Sequence, residues 1–307
     1  MMQTKNVLFI GRRETRPDYD TAASMARAIE SVANGACYSA CDFEDLVFAF
    51  DGQRLKVVST KLRQDISQFD AIFLLGWFTT KELEDTAMSV AVYAEAHNIP
   101  VFNSEVCRTR SRTKLSQCVL AAMHGVSCVP FVCSLDNFLS LQYMRENPIG
   151  YPLIVKSTIA ARGRDNYLVH TQHELESILK EQQRPGVSFI MQSFVPNNGD
   201  YRLIVMGDRV RLVMHRQSPT GSHINNTSQG GVATLVDASE VDQAMLEDAV
   251  KMARLARREV TGVDMIVHRD TGKFYLLEVN NMPQLSTGKF VTEKMRVLQE
   301  FLDEQLR

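Results

Sequence analysis

The sequence predicts an α/β protein that changes to an α+β arrangement in its C-terminal part. Short apolar strands alternate with amphipathic helices through the first third of the chain, and paired apolar runs around glycine turns follow in the second half. The chain has 307 residues, of which 45% are hydrophobic and 23% charged, so it can form one large or two to three small domains. This composition excludes a disordered chain and a disulfide mini-scaffold.

The charge balance and the cysteine pattern exclude several classes of protein. Lysine and arginine together number 34 against 36 aspartates and glutamates, so we expect no nucleic-acid partner. No apolar run approaches the roughly 18 residues of a membrane span, and residues 1–14 are typical of a first strand; we therefore expect no membrane association and a cytoplasmic location. The six cysteines form no CxxC pair, which favours reduced, partly buried thiols over a structural zinc site.

The first third of the chain is predicted to form a small doubly wound domain that ends near residue 105. A hydrophobic stripe at helical spacing marks the first helix, and Asp51-Gly52 between two apolar runs is a strong hairpin signal. No GxGxxG motif is present here, so a Rossmann-type nucleotide site is not supported. The predicted elements are a strand at 6–11, a helix at 21–34, a hairpin at 46–59, a strand at 70–77, a helix at 81–98 and a strand at 100–104.

The rest of the chain opens with the basic run 108–114, which on charge pattern alone is typical of a solvated linker. A polar loop at 218–231 interrupts the apolar pattern. The predicted elements are a helix that stops at Gly125, strands at 151–158, 166–170 and 187–195, a helix at 173–183, a hairpin at 200–217 around Gly207-Asp208, a helix at 238–260, a hairpin at 263–281 and a helix at 293–306.

The last hairpin places acidic residues opposite each other. Its loop, 270–272, ends on a glycine, as three-residue hairpin loops with a left-handed last residue do. If Arg269 pairs with Lys273, Asp264 falls opposite Glu278. Two facing carboxylates repel, so the pair requires a cation or a shared proton.

A third oxygen-bearing side chain joins this patch, because Asn280 lies two residues beyond Glu278 and points to the same face. Hard oxygen ligands of this kind suit Mg²⁺ or Mn²⁺. The alternative is a solvent-facing strand pair with incidental acids, and the residues themselves leave both interpretations open. The opposite face is predicted to carry the apolar side chains Met265, Val267, Leu277 and Val279.

Basic side chains at strand ends are candidates for phosphate binding. Lys156 ends an apolar strand, and the loop after it offers hydroxyls, arginines and Gly163 that could cradle phosphates. Arg202 and Arg216 lie at the two ends of one hairpin. Taken singly, these are weak signals, and on local grounds an exposed turn is the favoured interpretation of the loop, with surface solvation as the alternative role of the two arginines.

The ordered set of motifs resembles the ATP-grasp superfamily, with the RimK-like amino-acid ligases as its most similar branch. The motifs are TRSRTKLSQCVLAAMHG, GYPLIVKS, RGRDNYLV, IMQSFV, GDYRLIVMGDRV, HRQ, NNTSQGG, GVDMIV and LLEVNNMP, and they cover roughly residues 108–290. The resemblance implies a Rossmann-like pre-ATP-grasp domain at 1–107. It also implies an ATP-grasp fold of two lobes that clamp ATP, at 108–197 and 198–307.

The resemblance also implies roles for individual residues. Lys114, Lys156 and the Gly163 loop would contact ATP phosphates, Gln192, Ser193, Phe194 and Val195 would form the hinge beside adenine, and Asp200 would face the ribose. Arg202 and Arg216 would face the transferred phosphate, with Asn226 nearby, and Asp264, Glu278 and Asn280 would hold two Mg²⁺ ions, or Mn²⁺.

The activity implied by the resemblance is an ATP-dependent ligation. A carboxylate would attack the γ-phosphate to give an acyl-phosphate and ADP, and an amine would then displace phosphate. The expected partners are small-molecule or peptide carboxylates and amines, with a homo-oligomer possible. Two alternatives stay open: an ATP-binding module with little or no turnover that acts in binding or regulation, suggested by the glycine-poor loop ARGRD, and a phosphotransferase without amide formation. Ser193 stands in the hinge where many relatives have an acidic residue, a difference that bears on nucleotide preference. Specificity is expected at the 217–231 loop, at Gly11–Arg16 and at Gly76–Thr79, because strand ends face the crevice in open α/β sheets.

Overall fold

The structure is a computed structural model with side chains. It describes residues 5–16, 19–32, 35–76, 80–103, 113–159, 165–182, 184, 187–218 and 231–307. None of the helices in these segments is both long and apolar enough to span a membrane.

The N-terminal part contains a four-stranded parallel sheet with helices on both faces. The sheet order is β2-β1-β6-β7, and β1 and β6 are buried along nearly their whole length because apolar side chains point to both faces. Thr21 and Ser24 cap the first helix, α1, reciprocally at its N-terminus. The elements are β1 Lys5–Gly11, α1 Ala22–Glu30, β2 Ala36–Asp42, β6 Ala71–Leu75, α2 Lys81–Ala96 and β7 Val101–Phe102.

The predicted hairpin at Asp51-Gly52 is confirmed. It joins β3 (Leu46–Phe50) to β4 (Leu55–Ser59), and with β5 (Gln64–Asp65) these strands form a separate antiparallel sheet. The Asp51 carboxylate accepts hydrogen bonds from the two backbone N–H groups that follow the turn glycine, which has φ +94°.

The middle of the chain forms a second four-stranded sheet, of order β10-β9-β11-β8, in which all pairs are antiparallel. Its elements are α3 Lys114–Met123, β8 Phe131–Cys133, α4 Asn137–Glu146, β9 Leu153–Ser157, β10 Asn166–Val169, α5 Gln172–Glu181 and β11 Phe189–Ser193. Neither β8 nor α4 was anticipated from the sequence. In α4 only Ser140 and Met144 are buried, so no apolar stripe marks this helix.

The C-terminal part contains a five-stranded antiparallel sheet, β14-β13-β12-β15-β16. The elements are β12 Asp200–Met206, β13 Arg209–Gln217, β14 Val232–Val236, α6 Gln243–Ala256, β15 Val260–Val267, β16 Phe274–Asn280 and α7 Val291–Gln305. One face packs on α6 through Leu203, Val263, Met245 and Met252.

The last helix, α7, packs between the first sheet and the C-terminal sheet. A single apolar cluster contains Phe9 and Phe73 of the first sheet, Phe301 of α7, and Met206 and Val260 of the C-terminal sheet. All five side chains are at most 1% exposed. Helix α7 therefore belongs to the core of the N-terminal sheet as much as to the sheet that precedes it in sequence.

The predicted helix over 238–260 is wrong at both ends. A short 3₁₀ turn occupies Ala238–Glu240, and the helix itself begins only after Asp242, whose side chain accepts from the N–H of Ala244. At the other end, Arg257 adopts the left-handed conformation at φ 56° and stops the helix. The spacing of apolar residues therefore predicted a longer helix than the one that Asp242 and Arg257 cap.

Gly262 allows the chain after β16 to pass close to β15. A Cβ added at Gly262 would stand 2.7 Å from the Cβ of Pro283. We expect Gly262→Ala to push this segment away and to lower the free energy of unfolding by about 1–3 kcal/mol, as overpacking does. Urea unfolding measures the effect. Gly11→Ala is the matched control, because its nearest neighbour, Leu75 Cβ, is 3.4 Å away. Equal losses in both variants would contradict this close approach.

Candidate functional site

The hairpin of β15 and β16 pairs Asp264 with Glu278 as predicted, but its turn and the register next to the turn differ from the prediction. Its turn is one residue longer than expected: His268, not Arg269, bonds to Lys273, through a 2.7 Å N–H to carbonyl contact. Next to the turn, Met265 pairs with Leu276, one residue out of the predicted register. The predicted pairing of Arg269 with Lys273 is therefore wrong, whereas the left-handed Gly272 is confirmed at φ 69°.

A β-bulge restores the register at the site. The pairing shifts between Asp264 and Met265, so Asp264 stands opposite Glu278 and Gly262 stands opposite Asn280. The extra residue is Leu277.

The bulge also changes the face on which Leu277 lies. We predicted it beside Met265 and Val267, but it packs with Val129, Val195 and Ile266, and Leu276 joins the buried core instead. The prediction fails because one extra residue breaks the two-residue alternation of the strand.

Two arginines and two aspartates form a buried network on the face of Asp264. Arg202 donates to both Asp264 oxygens at 2.8 Å, through Nε and Nη2. Arg216 donates through Nε to Asp200 Oδ1 at 2.6 Å, and its Nη2 lies 3.0 Å from Asp264 Oδ2. None of these four side chains is more than 11% exposed. We call Asp200, Arg202, Arg216 and Asp264 the Arg–Asp network.

The network holds its two carboxylates in different electrostatic states. Burial raises the pKa of Asp200 to about 6, although the charge of Arg216 opposes the shift. Burial acts in the same direction on Asp264, but there Arg202 and Arg216 outweigh it and lower the pKa to about 2. Asp264 is thus ionised throughout the neutral range, and both neighbouring carboxylates raise the pKa of Arg216.

The three predicted metal ligands lie together. Asn280 donates its Nδ2 hydrogen to Asp264 Oδ2 at 3.0 Å, which leaves its Oδ1 as the ligand atom. Glu278 lies across from Asp264 with its side chain 27% exposed. Two carboxylates and an amide oxygen fit a hard divalent cation. In the described segments no three His, Cys, Asp or Glu residues form a metal-binding group. The candidate set contains only two such residues, Asp264 and Glu278, and its third member is an asparagine.

Two lysines reach the same patch from the second sheet and its preceding helix. Lys114 begins α3, and its Nζ is 3.9 Å from Glu278 Oε1. Burial lowers the pKa of Lys156, and the negative charge of Glu278 opposes this effect. The backbone N–H of Lys114 also bonds to the carbonyl of Thr158, just after β9, so the two predicted phosphate lysines share one neighbourhood.

A glutamine that sequence reasoning missed joins α3 to the ligand strand. The Gln117 side chain accepts from the Val279 N–H at 2.8 Å and donates to the Val279 carbonyl at 3.0 Å. Arg258 Nη1 donates to the same carbonyl at 2.5 Å. The sequence did contain one signal, because Gln117 is a polar residue on the apolar face of a helix, where a hydrogen-bond partner is required.

The predicted hinge is firmly bonded within the protein. The N–H of Ser193 donates to the Pro130 carbonyl and that of Phe194 to the Pro152 carbonyl, at 3.2 and 3.0 Å. Gln192 is 3% exposed and lies against Cys118, while Val195 packs in the apolar cluster with Leu277. The prediction that this segment binds adenine stays a prediction, as does the ribose role of Asp200, whose Oδ1 is engaged by Arg216.

Two of the predicted site residues, Gly163 and Asn226, lie outside the described residues.

Comparison with known proteins identifies the family. The family model of the RimK-like ATP-grasp domain matches residues 111–302, which is more than half of the chain. The protein therefore belongs to the RimK-like ATP-grasp family, and the predicted resemblance is confirmed.

Individual relatives agree with this assignment. The chain is 32% identical over 196 residues to the probable alpha-L-glutamate ligase of Alkalilimnicola ehrlichii, a match that covers 61% of this chain and 62% of that protein. The chain thus spans less than two thirds of the length of that relative.

Solved structures share the fold. The ATP-grasp ligase PsnB, complexed with a phosphomimetic variant of minimal precursor, Mg and ADP, superimposes with a TM-score of 0.69 at 15% identity over 98% of each chain. The VanG D-Ala:D-Ser ligase of Enterococcus faecalis gives a TM-score of 0.66 at 17% identity, also over 98% of each chain. The mixed α/β fold is thus that of ATP-grasp ligases.

The Arg–Asp network makes a stability prediction. Arg216→Met leaves Asp200 buried without its cation, so we expect a loss of about 3–5 kcal/mol in the free energy of unfolding. The matched control is Arg209→Met on the same strand, whose partner Glu304 is at the surface; its loss should be much smaller. Urea unfolding of both variants tests this. Losses of similar size in the two variants would show that burial of the network does not determine the loss of unfolding free energy.

Proposed function

We propose that the protein is an ATP- and Mg²⁺-dependent ligase that joins a carboxylate to an amine through an acyl-phosphate. The observation that carries the proposal is the convergence of four cations and three oxygen ligands on one patch. Lys114 and Lys156 come from one side, Arg202 and Arg216 from the other, and Glu278 lies between them. Relatives in the same family are named as ligases, which supports this reaction class.

The cations divide the work by their chemistry. The lysines are compact point charges suited to phosphate oxygens. The arginines are held in a fixed orientation, since Arg202 is bound at two atoms by Asp264 and Arg216 is bound by Asp200 as well. Such preorganised cations stabilise charge that develops on a transferred phosphoryl group. We therefore assign Arg202 and Arg216 to the reacting phosphate.

Asp264, Glu278 and Asn280 would hold the metal, two ions being the expected number and Mn²⁺ an acceptable substitute for Mg²⁺. When bound, the metal neutralises charge on the triphosphate. Because Asp264 stays ionised at neutral pH, its ligand atoms require no deprotonation.

We further propose that the chain is organised as a pre-ATP-grasp domain at 1–107 and two ATP-grasp lobes at 108–197 and 198–307. The adenine pocket would lie where the lobes meet. This is supported by the cluster of Val129, Val195, Ile266 and Leu277, which draws apolar side chains from both lobes beside the hinge. An apolar wall near hydrogen-bonding backbone suits a nucleotide base.

Amino acids or peptides are the proposed carboxylate and amine substrates. The Alkalilimnicola relative is named for glutamate, PsnB was solved with a precursor, and VanG is named for D-Ala and D-Ser. These names support an amino-acid or peptide class without selecting one member of it.

A second candidate is an ATP-binding protein with little or no turnover. The observation that favours it is that both Asp264 oxygens are engaged by arginine, so a metal must share them.

ADP release with a panel of amino acids distinguishes the two. We expect amino-acid-dependent release that falls by about 100-fold or more in Glu278→Ala, because a proposed ligand of the metal that neutralises the triphosphate is lost. Glu304→Ala, at an exposed surface pair, is the control. Hydroxylamine should trap a hydroxamate if an acyl-phosphate forms.

Full turnover in Glu278→Ala would refute the metal assignment. Nucleotide binding by calorimetry without ADP release under any amino acid would favour the second candidate. ADP release without hydroxamate would indicate another phosphotransfer.

A further inference from the structure

A small pocket lies where the first sheet meets the segment after β16. Gly11 and Leu75 line it from the ends of β1 and β6, with Gly76 beside them, and Met282 lines it from the other side. Asp20 is also part of its wall. The pocket coincides with the strand ends at which sequence analysis placed specificity, and Met282 is only two residues beyond the metal-ligand candidate Asn280.

Asp20 binds this segment with its whole carboxylate. It accepts from the N–H of Leu285 at 2.7 Å and of Ser286 at 3.0 Å, and from the hydroxyls of Ser286 and Thr287 at 2.9 and 3.1 Å. The residue is only 4% exposed. Four donors compensate the cost of burying a carboxylate, and hydrogen bonds to a charged group are the stronger kind.

None of these four bonds serves the helix next to Asp20. The N-terminus of α1 is capped by Thr21 and Ser24, which accept and donate reciprocally. An acid directly before a helix usually acts on that helix, but here its acceptors point to a segment about 265 residues later in the chain.

The segment requires such an anchor. Gln284 and Phe290 adopt left-handed conformations at φ 59° and 58°, which cost energy for residues other than glycine. The buried Lys294, in α7, donates from Nζ to the carbonyls of Gln284 and Thr287. At its start, Asn281 Nδ2 donates to the Gly76 carbonyl at 3.2 Å.

We propose that Asp20 is a positioning residue for the ligation. It holds the segment 281–288, which we call the post-ligand loop, against the first sheet, and so it sets the wall that Met282 contributes to the pocket. The proposal rests on the proposed function in one respect: the pocket then belongs to the amino-acid or peptide substrate, whereas the nucleotide lies beyond Asn280 toward the lysines.

The first experiment requires no activity. Amide hydrogen exchange of the nucleotide-free protein is measured in wild type and in Asp20→Asn, in which an amide NH₂ replaces one acceptor. We expect exchange in the post-ligand loop to accelerate by about tenfold or more, because two amides lose a charged acceptor. Unchanged exchange there would overturn the proposal.

Asp65→Asn is the matched control. Asp65 lies in the same N-terminal part, at the end of β5, and accepts from the Ser67 N–H and the Tyr93 hydroxyl, whereas the pocket is lined by the far end of β6. Its loss should leave exchange in the post-ligand loop as in wild type. Acceleration of the loop in this variant would show a general loss of stability instead of anchoring by Asp20.

The second experiment separates positioning from structure by kinetics. We expect Asp20→Asn to raise KM for the amino-acid substrate by about tenfold or more while KM for ATP changes less than about twofold, since only one binding region is moved. Equal changes in both KM values would overturn the assignment.

Two further outcomes have defined meanings. If Asp20→Asn does not fold, Thr287→Val removes one donor to the same carboxylate without stranding a charge, and it should produce a smaller shift in the same two readouts. If wild type releases no ADP with any substrate, the proposed function fails, while hydrogen exchange still decides whether Asp20 anchors the loop.

Discussion

The structure depends on the burial of four charges in neighbouring strands of one sheet. Asp200 stands directly opposite Arg216, and Arg202 directly opposite Asp264, so each cross-strand pair is an ion pair. Removing any member leaves an uncompensated charge where water cannot reach it, which is far more costly than the pair is stabilising. The ion pairs therefore require the observed register of β12, β13 and β15. A one-residue slip of a strand would turn its charged side chains to the other face of the sheet.

The same network fixes the orientation of both arginines, as the proposed phosphate site requires. Arginines that are already oriented by carboxylates need no reorganisation when charge develops on a phosphoryl group. Their neighbours come from other parts of the chain: Lys114 from α3, fixed through Gln117, and the post-ligand loop, fixed through Asp20. Helix α7 then returns the chain to the core of the first sheet. The candidate site thus draws on segments from the N-terminal, middle and C-terminal parts of the chain.

Local patterns anticipated much of this arrangement. Asp51-Gly52 and Gly272 identify their turns because each requires a particular backbone conformation, and the pairing of Asp264 with Glu278 follows from strand periodicity and the turn. The structure nevertheless differs from the prediction at two points, the turn and a bulge, and their effects on the register cancel at Asp264. Leu277 shows the cost of that difference, since its face was predicted wrongly. Helix α4 was missed because its burial is too sparse to leave a period.

Spacing over a few residues accounts for most of the strands and helices and for the residue types that can bind phosphate and metal. The order of the motifs over residues 108–290 accounts for the family. Long-range packing accounts for the rest. Arg202 and Arg216 are indistinguishable from surface arginines until β12 pairs with β13 and β15, and Asp20 is an ordinary acid before a helix until residues 285–287 fold onto it. Charge burial and partner choice arise between segments far apart in sequence, where no local period records them.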